Sequence, residues 1–281
     1  MNFISFIKMV AAGNDFVLID RAENNNTRFS KELIQKICDR KTGVGADGLM
    51  ILQSHSGEEL NIEFYNSDGS YGALCGNGSR CVIKYIRDKR SLNKGKVYFV
   101  FNGKQYHGFI DDSGTPVFNL QKPLKIDLNK VIEFDGIHVT GDFIDLNVPH
   151  FVININENSG LFSSNTNIDN VDVLRIGRKI RFAKEFAPVG VNVNFIDPGD
   201  ENISVRTYER GVEYETLSCG TGSVASAISA FLHRDIKPPV NILTKSGEKL
   251  VVNFKYENNI FTNITLKGNA KIVFHGKFIL N

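Results

Sequence analysis

The chain has 281 residues, 42% of them hydrophobic and 23% charged, and a formal net charge of +2 at pH 7. That length allows a sizeable core and predicts two domains, and the composition excludes a disordered or membrane-spanning chain. Lys and Arg are scattered, which excludes the basic stripe of a nucleic-acid binder.

In chain order, "MNFISFIKMVAAGNDF" has no charged residue ahead of its apolar run, and Lys8 interrupts that run, so it does not read as a secretory signal. No segment approaches the roughly 18 apolar residues of a membrane span. A cytoplasmic protein without membrane partners is expected. Strands are predicted at 15–20, 60–66, 96–101, 150–155, 191–196, 203–209, 249–255, 260–266 and 270–275, all rich in β-branched and aromatic residues. A helix is predicted over 30–40, with Ser30 as cap, Leu33, Ile34 and Ile37 on one face and Gly43 just beyond its end. Another is predicted near 172–184. Two more follow Cys75 and Cys219, presenting Val82, Ile83 and Ile86 in one case and Val224, Ile228, Phe231 and Leu232 in the other.

Cys38, Cys75, Cys81 and Cys219 are few and widely spaced, which predicts free thiols. No CxxC, HExxH or paired-His spacing occurs, so no metal is expected. Cys38 and Cys81 fall within apolar helical faces and are assigned to packing. The other two sit in a repeat, "LCGNGSRC" (74–81) and "SCGTGSVA" (218–225), whose cysteines lie 144 positions apart. Each copy reads as strand, polar turn, CGxGS, helix. A duplicated unit predicts two similar domains facing a cleft, and "LQKPLKI", near 120–125, is the expected crossing point.

A helix that starts at Gly76 or Gly220 has backbone N–H groups without partners inside it, and its dipole places partial positive charge there. A carboxylate docks on such an end, and glycine lets it approach closely. The same field favours thiolate at the neighbouring cysteine. Two such ends across a cleft suit removal of a proton from one face of an amino-acid α-carbon and its return on the other. The developing charge moves onto the carboxylate, where preorganised donors stabilise it, so no pyridoxal cofactor is required.

Six ordered blocks, "GNDF" (13–16), "GVGADGLM" (43–50), "FYNSDGSYGALCGNGSRC" (64–81), "VPHFV" (148–152), "VNVNF" (191–195) and "YERGVEYETLSCGTG" (208–222), resemble the diaminopimelate epimerase family. The resemblance implies an α/β (α+β) fold of two pseudo-symmetric domains, each a mixed β-barrel-like sheet around a central helix, with the active site in the cleft. The expected domains are 1–122 plus 266–281, and 123–265. It implies cofactor-independent conversion of LL-2,6-diaminopimelate to the meso form, in lysine and peptidoglycan precursor synthesis, by a cytoplasmic homodimer. By position, Cys75 and Cys219 resemble the catalytic pair. Gly76, Asn77, Gly220, Thr221 and Asn14 resemble the group that binds the reacting end of the substrate, and Asn66, Asn192, Glu209 and Arg210 the group that binds its distal end. A guanidinium suits the second carboxylate and Glu209 the second ammonium.

On local sequence alone, Asn14 and Asn66 equally suit turns, Arg210 beside Glu209 suits a solvated pair, and His150 suits a supporting role. Val148 stands where the family commonly has asparagine, and Gly48 where many members carry glutamine. Three alternatives remain: an epimerase of the same fold acting on another amino acid, a thiol redox protein, and a silent binder of zwitterions.

Overall fold

The computed structural model describes residues 3–24, 27–54, 60–73, 75–90, 95–234 and 236–280. Leu74, inside one of the quoted blocks, lies outside them. The chain divides into two compact units, residues 1–119 with 268–281, and residues 120–267. The first contains β1 (Phe3–Ala11), β2 (Asn14–Asp20), α1 (Lys31–Cys38), β3 (Gly48–Ser54), β4 (Leu60–Asn66), α2 (Gly76–Arg90), β5 (Val97–Phe101), β6 (Lys104–Ile110) and β7 (Pro116–Asn119). The second contains β8 (Lys125–Phe134), β9 (Ile137–Asp145), β10 (Pro149–Asn154), α3 (Val173–Arg181), β11 (Asn192–Pro198), β12 (Ile203–Glu209), β13 (Tyr214–Thr216), α4 (Gly220–Arg234), β14 (Val240–Thr244), β15 (Lys249–Glu257) and β16 (Ile260–Lys267). The chain then returns to the first unit as β17 (Lys271–Ile279).

Each unit follows the same pairing scheme. In the first, β1 runs antiparallel to β2, β2 parallel to β3, β3 antiparallel to β4, β4 parallel to β5, and β5, β6 and β7 are successively antiparallel. In the second, β9, β10, β11, β12, β14, β15 and β16 repeat that series of antiparallel and parallel neighbours. β17 adds to β1, and β8 adds to β9, both antiparallel. Parallel neighbours cannot be joined by a tight turn. The first parallel step of each unit is therefore bridged through α1 or α3, and the second through α2 or α4. The second unit also folds β13 back onto β12. The fold is α+β and dominated by sheet.

The strands beneath these helices are buried on both faces, which suits their near-continuous apolar runs. In the first unit Val17, Ile19, Leu49 and Ile51 meet Ile34, Ile37 and Cys38 of α1. Ser30 caps that helix, its hydroxyl accepting from Leu33 N at 3.3 Å. The helix stops at Cys38, earlier than expected, because the chain folds back on it: Val44 N and Ala46 N donate to the carbonyls of Ile37 and Cys38 at 2.8 and 3.0 Å. Gly43 is thus no simple helix terminator. It lies against the Lys36 and Ile37 carbonyls, where a Cβ would overlap them.

In the second unit Asp172 caps α3, and Val173, Ile176 and Ile180 pack on Phe151, Ile153, Val193, Phe195 and Tyr208. Alternation along the strands sends the intervening side chains towards α2 or α4. α4 touches β9, β10, β11, β12, β14 and β15, and is buried from Gly220 to Ala230 except at half-exposed Thr221. Its glycines, serines and alanines let strands approach on every side.

α3 comes so close to β12 that a Cβ at Gly177 would stand 2.5 Å from Tyr208 Cβ. Gly177→Ala is expected to lower unfolding free energy by roughly 1–3 kcal/mol, despite alanine's better helix propensity, because the added methyl overpacks the contact. Urea titration of the variant checks this.

Candidate active site

Each repeat cysteine is the residue on which a central helix begins. The Cys75 carbonyl accepts from Ser79 N at 2.8 Å, and the Cys219 carbonyl from Ser223 N at 2.9 Å, the first hydrogen bonds of α2 and α4. Both cysteines therefore hold the N-cap position, where the orphan N–H groups and the positive end of the dipole lie. Cys219 goes further, its sulfur accepting from Gly222 N at 3.4 Å, as an N-cap side chain does. Ser223 Oγ also donates to the Cys219 carbonyl at 2.9 Å.

In the first unit the start of β2 is drawn to the start of α2. Asn77 Nδ2 donates to Asn14 Oδ1 at 2.5 Å, and Asn14 Nδ2 to Asp47 Oδ2 at 3.1 Å. Arg80, fully buried one turn into α2, donates to Asn77 Oδ1 at 2.8 Å and to the Gly76 carbonyl at 3.1 Å. The chain ends on a donor-only guanidinium at one side and an acceptor-only carboxylate at the other, which fixes both amide orientations. Arg40 anchors Asp47 at 2.6 Å and also pairs with Asp15. Burial would raise the Asp15 carboxyl, but Arg40 and Lys8 outweigh it and hold it down at about 2. Asn66 stands apart, exposed at the end of β4, with Nδ2 on Ser70 Oγ at 2.9 Å.

In the second unit His150, at the start of β10, is fully buried, with Nε2 2.9 Å from Thr221 Oγ1 and Nδ1 3.1 Å from Asn194 Nδ2. Burial, reinforced by the charge of Arg210, pushes the imidazole down to about 3, so the ring is neutral. Thr221 Oγ1 lies 3.6 Å from Cys219 Sγ. Asn192 is buried and ties three strands together, its Oδ1 accepting from Arg210 N at 2.8 Å and its Nδ2 donating to the Pro149 carbonyl at 3.2 Å. Glu209 accepts from Thr216 Oγ1 of β13 at 2.9 Å. β13 is itself held by Arg206, which grips Glu215 through two hydrogen bonds of 2.6 and 2.7 Å.

The structure thus gathers Cys75, Gly76, Asn77 and Asn14 at one helix start. It gathers Cys219, Gly220, Thr221 and His150 at the other, with Asn192 and Arg210 beside each other. Asp47, Arg80, Asn194 and Thr207 belong to these networks and were not anticipated. The signal for Asn194 was its place two residues after Asn192, on the same face of the strand. Arg80 had none, since an arginine in a helix ordinarily reads as surface.

Cys38 and Cys81 are buried, and burial pushes the Cys38 thiol up to about 12 and the Cys81 thiol higher still. Among the described residues no three His, Cys, Asp or Glu side chains are grouped to hold a metal ion, and no helix is long and apolar enough to cross a membrane. Brief iodoacetamide treatment of the native protein at pH 8 should leave Cys38 and Cys81 unmodified by peptide mapping, and both should react after denaturation.

A family profile described as "Diaminopimelate epimerase" matches residues 6–121 and 143–273. A protein named diaminopimelate epimerase from Aquifex aeolicus (strain VF5) is 39% identical over 98% of this chain and 97% of its own length. One of the same name from Flavobacterium psychrophilum is 37% identical over 95% and 97%. Among solved structures, a PhzF-family phenazine biosynthesis protein of Bacillus anthracis shares the fold at a TM-score of 0.71 and 12% identity, covering 100% of both chains. A hydroxyproline epimerase from Agrobacterium vitis does so at 0.70 and 13%, over 98% of this chain and 92% of its own.

Proposed function

Because the chain belongs to the diaminopimelate epimerase family, we propose that it converts LL-2,6-diaminopimelate to the meso isomer with Cys75 and Cys219 as its two acid/base groups. One thiolate removes the α-proton, the electron pair spreads into the α-carboxylate, and the opposite thiol returns a proton to the other face. The two sulfurs then have exchanged protonation states. The observation that carries this reading is the repeated N-cap cysteine: each half of a duplicated fold sets one sulfur beside helix N–H groups that favour both thiolate and carboxylate.

In this reading the two compact units are the two epimerase domains. Gly76, Asn77, Gly220, Thr221 and Asn14 serve the reacting end, Asn66, Asn192, Glu209 and Arg210 the distal amino acid group, and His150 a supporting part. The chemistry needs no cofactor, since the amide donors take the charge an electron sink would take. The enzyme is then a cytoplasmic homodimer that acts in lysine and peptidoglycan precursor synthesis.

With two bases of opposite facial access, turnover of LL-diaminopimelate in deuterated water should at first label the product α-carbon and leave recovered substrate unlabelled. Equal early labelling of both by mass spectrometry indicates one mobile base and removes the assignment. Cys75→Ala and Cys219→Ala should each nearly abolish epimerisation in protein to which no pyridoxal phosphate is added.

Val148 is half-buried and offers no polar atom to the substrate's distal end. Val148→Asn is expected to lower KM for LL-diaminopimelate by about tenfold or more, corresponding to roughly 1.5–3 kcal/mol for a hydrogen bond to a charged group. Steady-state kinetics should show kcat little changed, because the contact lies away from the reacting carbon.

A further inference from the structure

The duplicated registers establish which residues of the two units correspond. Phe16 pairs with Gly48, and Gly48 with Asn66; in the second unit His150 pairs with Asn192, next to which Asn194 pairs with Thr207. Met50 pairs with Phe64 two steps along, as Asn194 does with Thr207. His150, Asn194 and Thr207 therefore occupy the positions that Phe16, Met50 and Phe64 occupy in the first unit. The second glycine of each CGxG motif confirms the match. A Cβ at Gly78 would come nearest to Met50 Sδ, at 3.1 Å, whereas one at Gly222 would overlap Asn194 Oδ1.

The two trios are equally buried and chemically opposite. Phe16, Met50 and Phe64 form an apolar plug, the two rings meeting edge to face at 6.0 Å. His150, Asn194 and Thr207 are 0%, 0% and 3% exposed. The first unit demonstrates that the fold fills these positions with apolar side chains, so packing gives no reason to bury three polar ones, each of which must then find a partner. They find partners in series. Thr207 Oγ1 donates to Asn194 Oδ1 at 3.0 Å, Asn194 Nδ2 meets His150 Nδ1 at 3.1 Å, His150 Nε2 meets Thr221 Oγ1 at 2.9 Å, and Thr221 Oγ1 faces the Cys219 sulfur.

We propose that Asn194 and Thr207 are positioning residues for Cys219, holding His150 as the neutral Nε2–H tautomer so that the hydroxyl proton of Thr221 is aimed at the sulfur. With Asn194 Oδ1 engaged by Thr207, its amide presents N–H to His150 Nδ1, which must accept. The ring proton then sits on Nε2 and donates to Thr221 Oγ1. That leaves the threonine's own proton for the sulfur, which receives it together with the Gly222 N–H. Two donors on one sulfur favour the thiolate and fix its direction. The series passes no proton: in the proposed reaction, on which this inference rests, the α-proton goes to sulfur and stays there. The low basicity of the buried imidazole keeps it a neutral donor throughout the working pH range.

The test combines a spectrum with kinetics. In [15N]histidine-labelled wild-type protein, the His150 ring, assigned with His150→Gln, should show an unprotonated Nδ1 and a protonated Nε2 from pH 5 to 9. A proton on Nδ1, or an imidazolium, overturns the proposal whatever the activity. Asn194→Leu and the near-isosteric Thr207→Val should lower kcat on the order of tenfold to a hundredfold with KM changed less than about twofold. Both should also move the pH midpoint of Cys219 alkylation upward, with that of Cys75 unchanged. If Asn194→Leu fails to fold, Thr207→Val carries the same readouts, and wild-type kinetics with an unshifted Cys219 midpoint in a folded variant overturns the proposal. Retained epimerisation in Cys219→Ala would instead remove the two-thiol reading and leave the tautomer result standing.

Discussion

A helix that begins on a cysteine inside a sheet imposes most of what surrounds it. Because the cysteine carbonyl is spent on the first intrahelical bond, its sulfur lies beside N–H groups that the helix leaves unused. The next residues must be small, since the strands approach the helix start: Gly78 faces Met50 and Gly222 faces Asn194. The helix must also be sealed, and α4 achieves this with serine, alanine and glycine on nearly all sides of its first three turns. A parallel strand on each flank follows from the same demand, because only a crossover connection carries a helix across the sheet it packs on.

Duplication satisfied that constraint twice and then diverged behind it. The start of α2 is braced by ions, with Arg80 and Asp47 at the two ends of an asparagine pair. The start of α4 is braced by neutral groups, with Val224 at the position of Arg80 and a histidine at the position of Phe16. A buried guanidinium adds fixed positive charge close to Cys75, whereas the neutral series adds none near Cys219 and relies on hydrogen-bond direction. The two sulfurs have thereby been given different surroundings by the same backbone.

Much of this was legible in the sequence, and the failures have physical causes. The CGxGS repeat announced both helix starts because glycine, serine and cysteine at fixed spacing serve backbone approach, which is local. Strands such as β2, β4 and β12 were visible because burial on one or both faces selects β-branched and aromatic residues. β1 and β3 were obscured, since "FISFIKMVA" and "GLMILQS" are near-continuous apolar runs with no alternation to distinguish strand from buried helix. β8 was hidden by the irregularity between Asp127 and Lys130, which breaks the period-two pattern. β13 is three residues long and exists through the Arg206–Glu215 clamp, a contact between chain segments that periodicity does not record. The networks behind the cysteines were illegible for a related reason. Asn194 and Thr207 look like ordinary strand residues until register places them on one another.

Register also gives Val148 its meaning. Asn14 precedes Asp15, which pairs with Val10, and Val148 precedes Pro149, which pairs with Asp145, so Val148, just ahead of β10, matches Asn14, the first residue of β2. In the first unit that place supplies the amide that holds the second residue of the central helix, through Asn14 and Asn77. In the second unit valine supplies nothing polar, and the matching residue, Thr221, is held from two positions further along the strand by His150. A side chain at the helix start needs one fixed partner to be preorganised, and either place on the strand can provide it. The histidine reaches Thr221 from a fully buried site, where its own orientation is set by a second residue, Asn194. The valine therefore leaves Thr221 with its partner, because the contact is made from His150 and not from position 148.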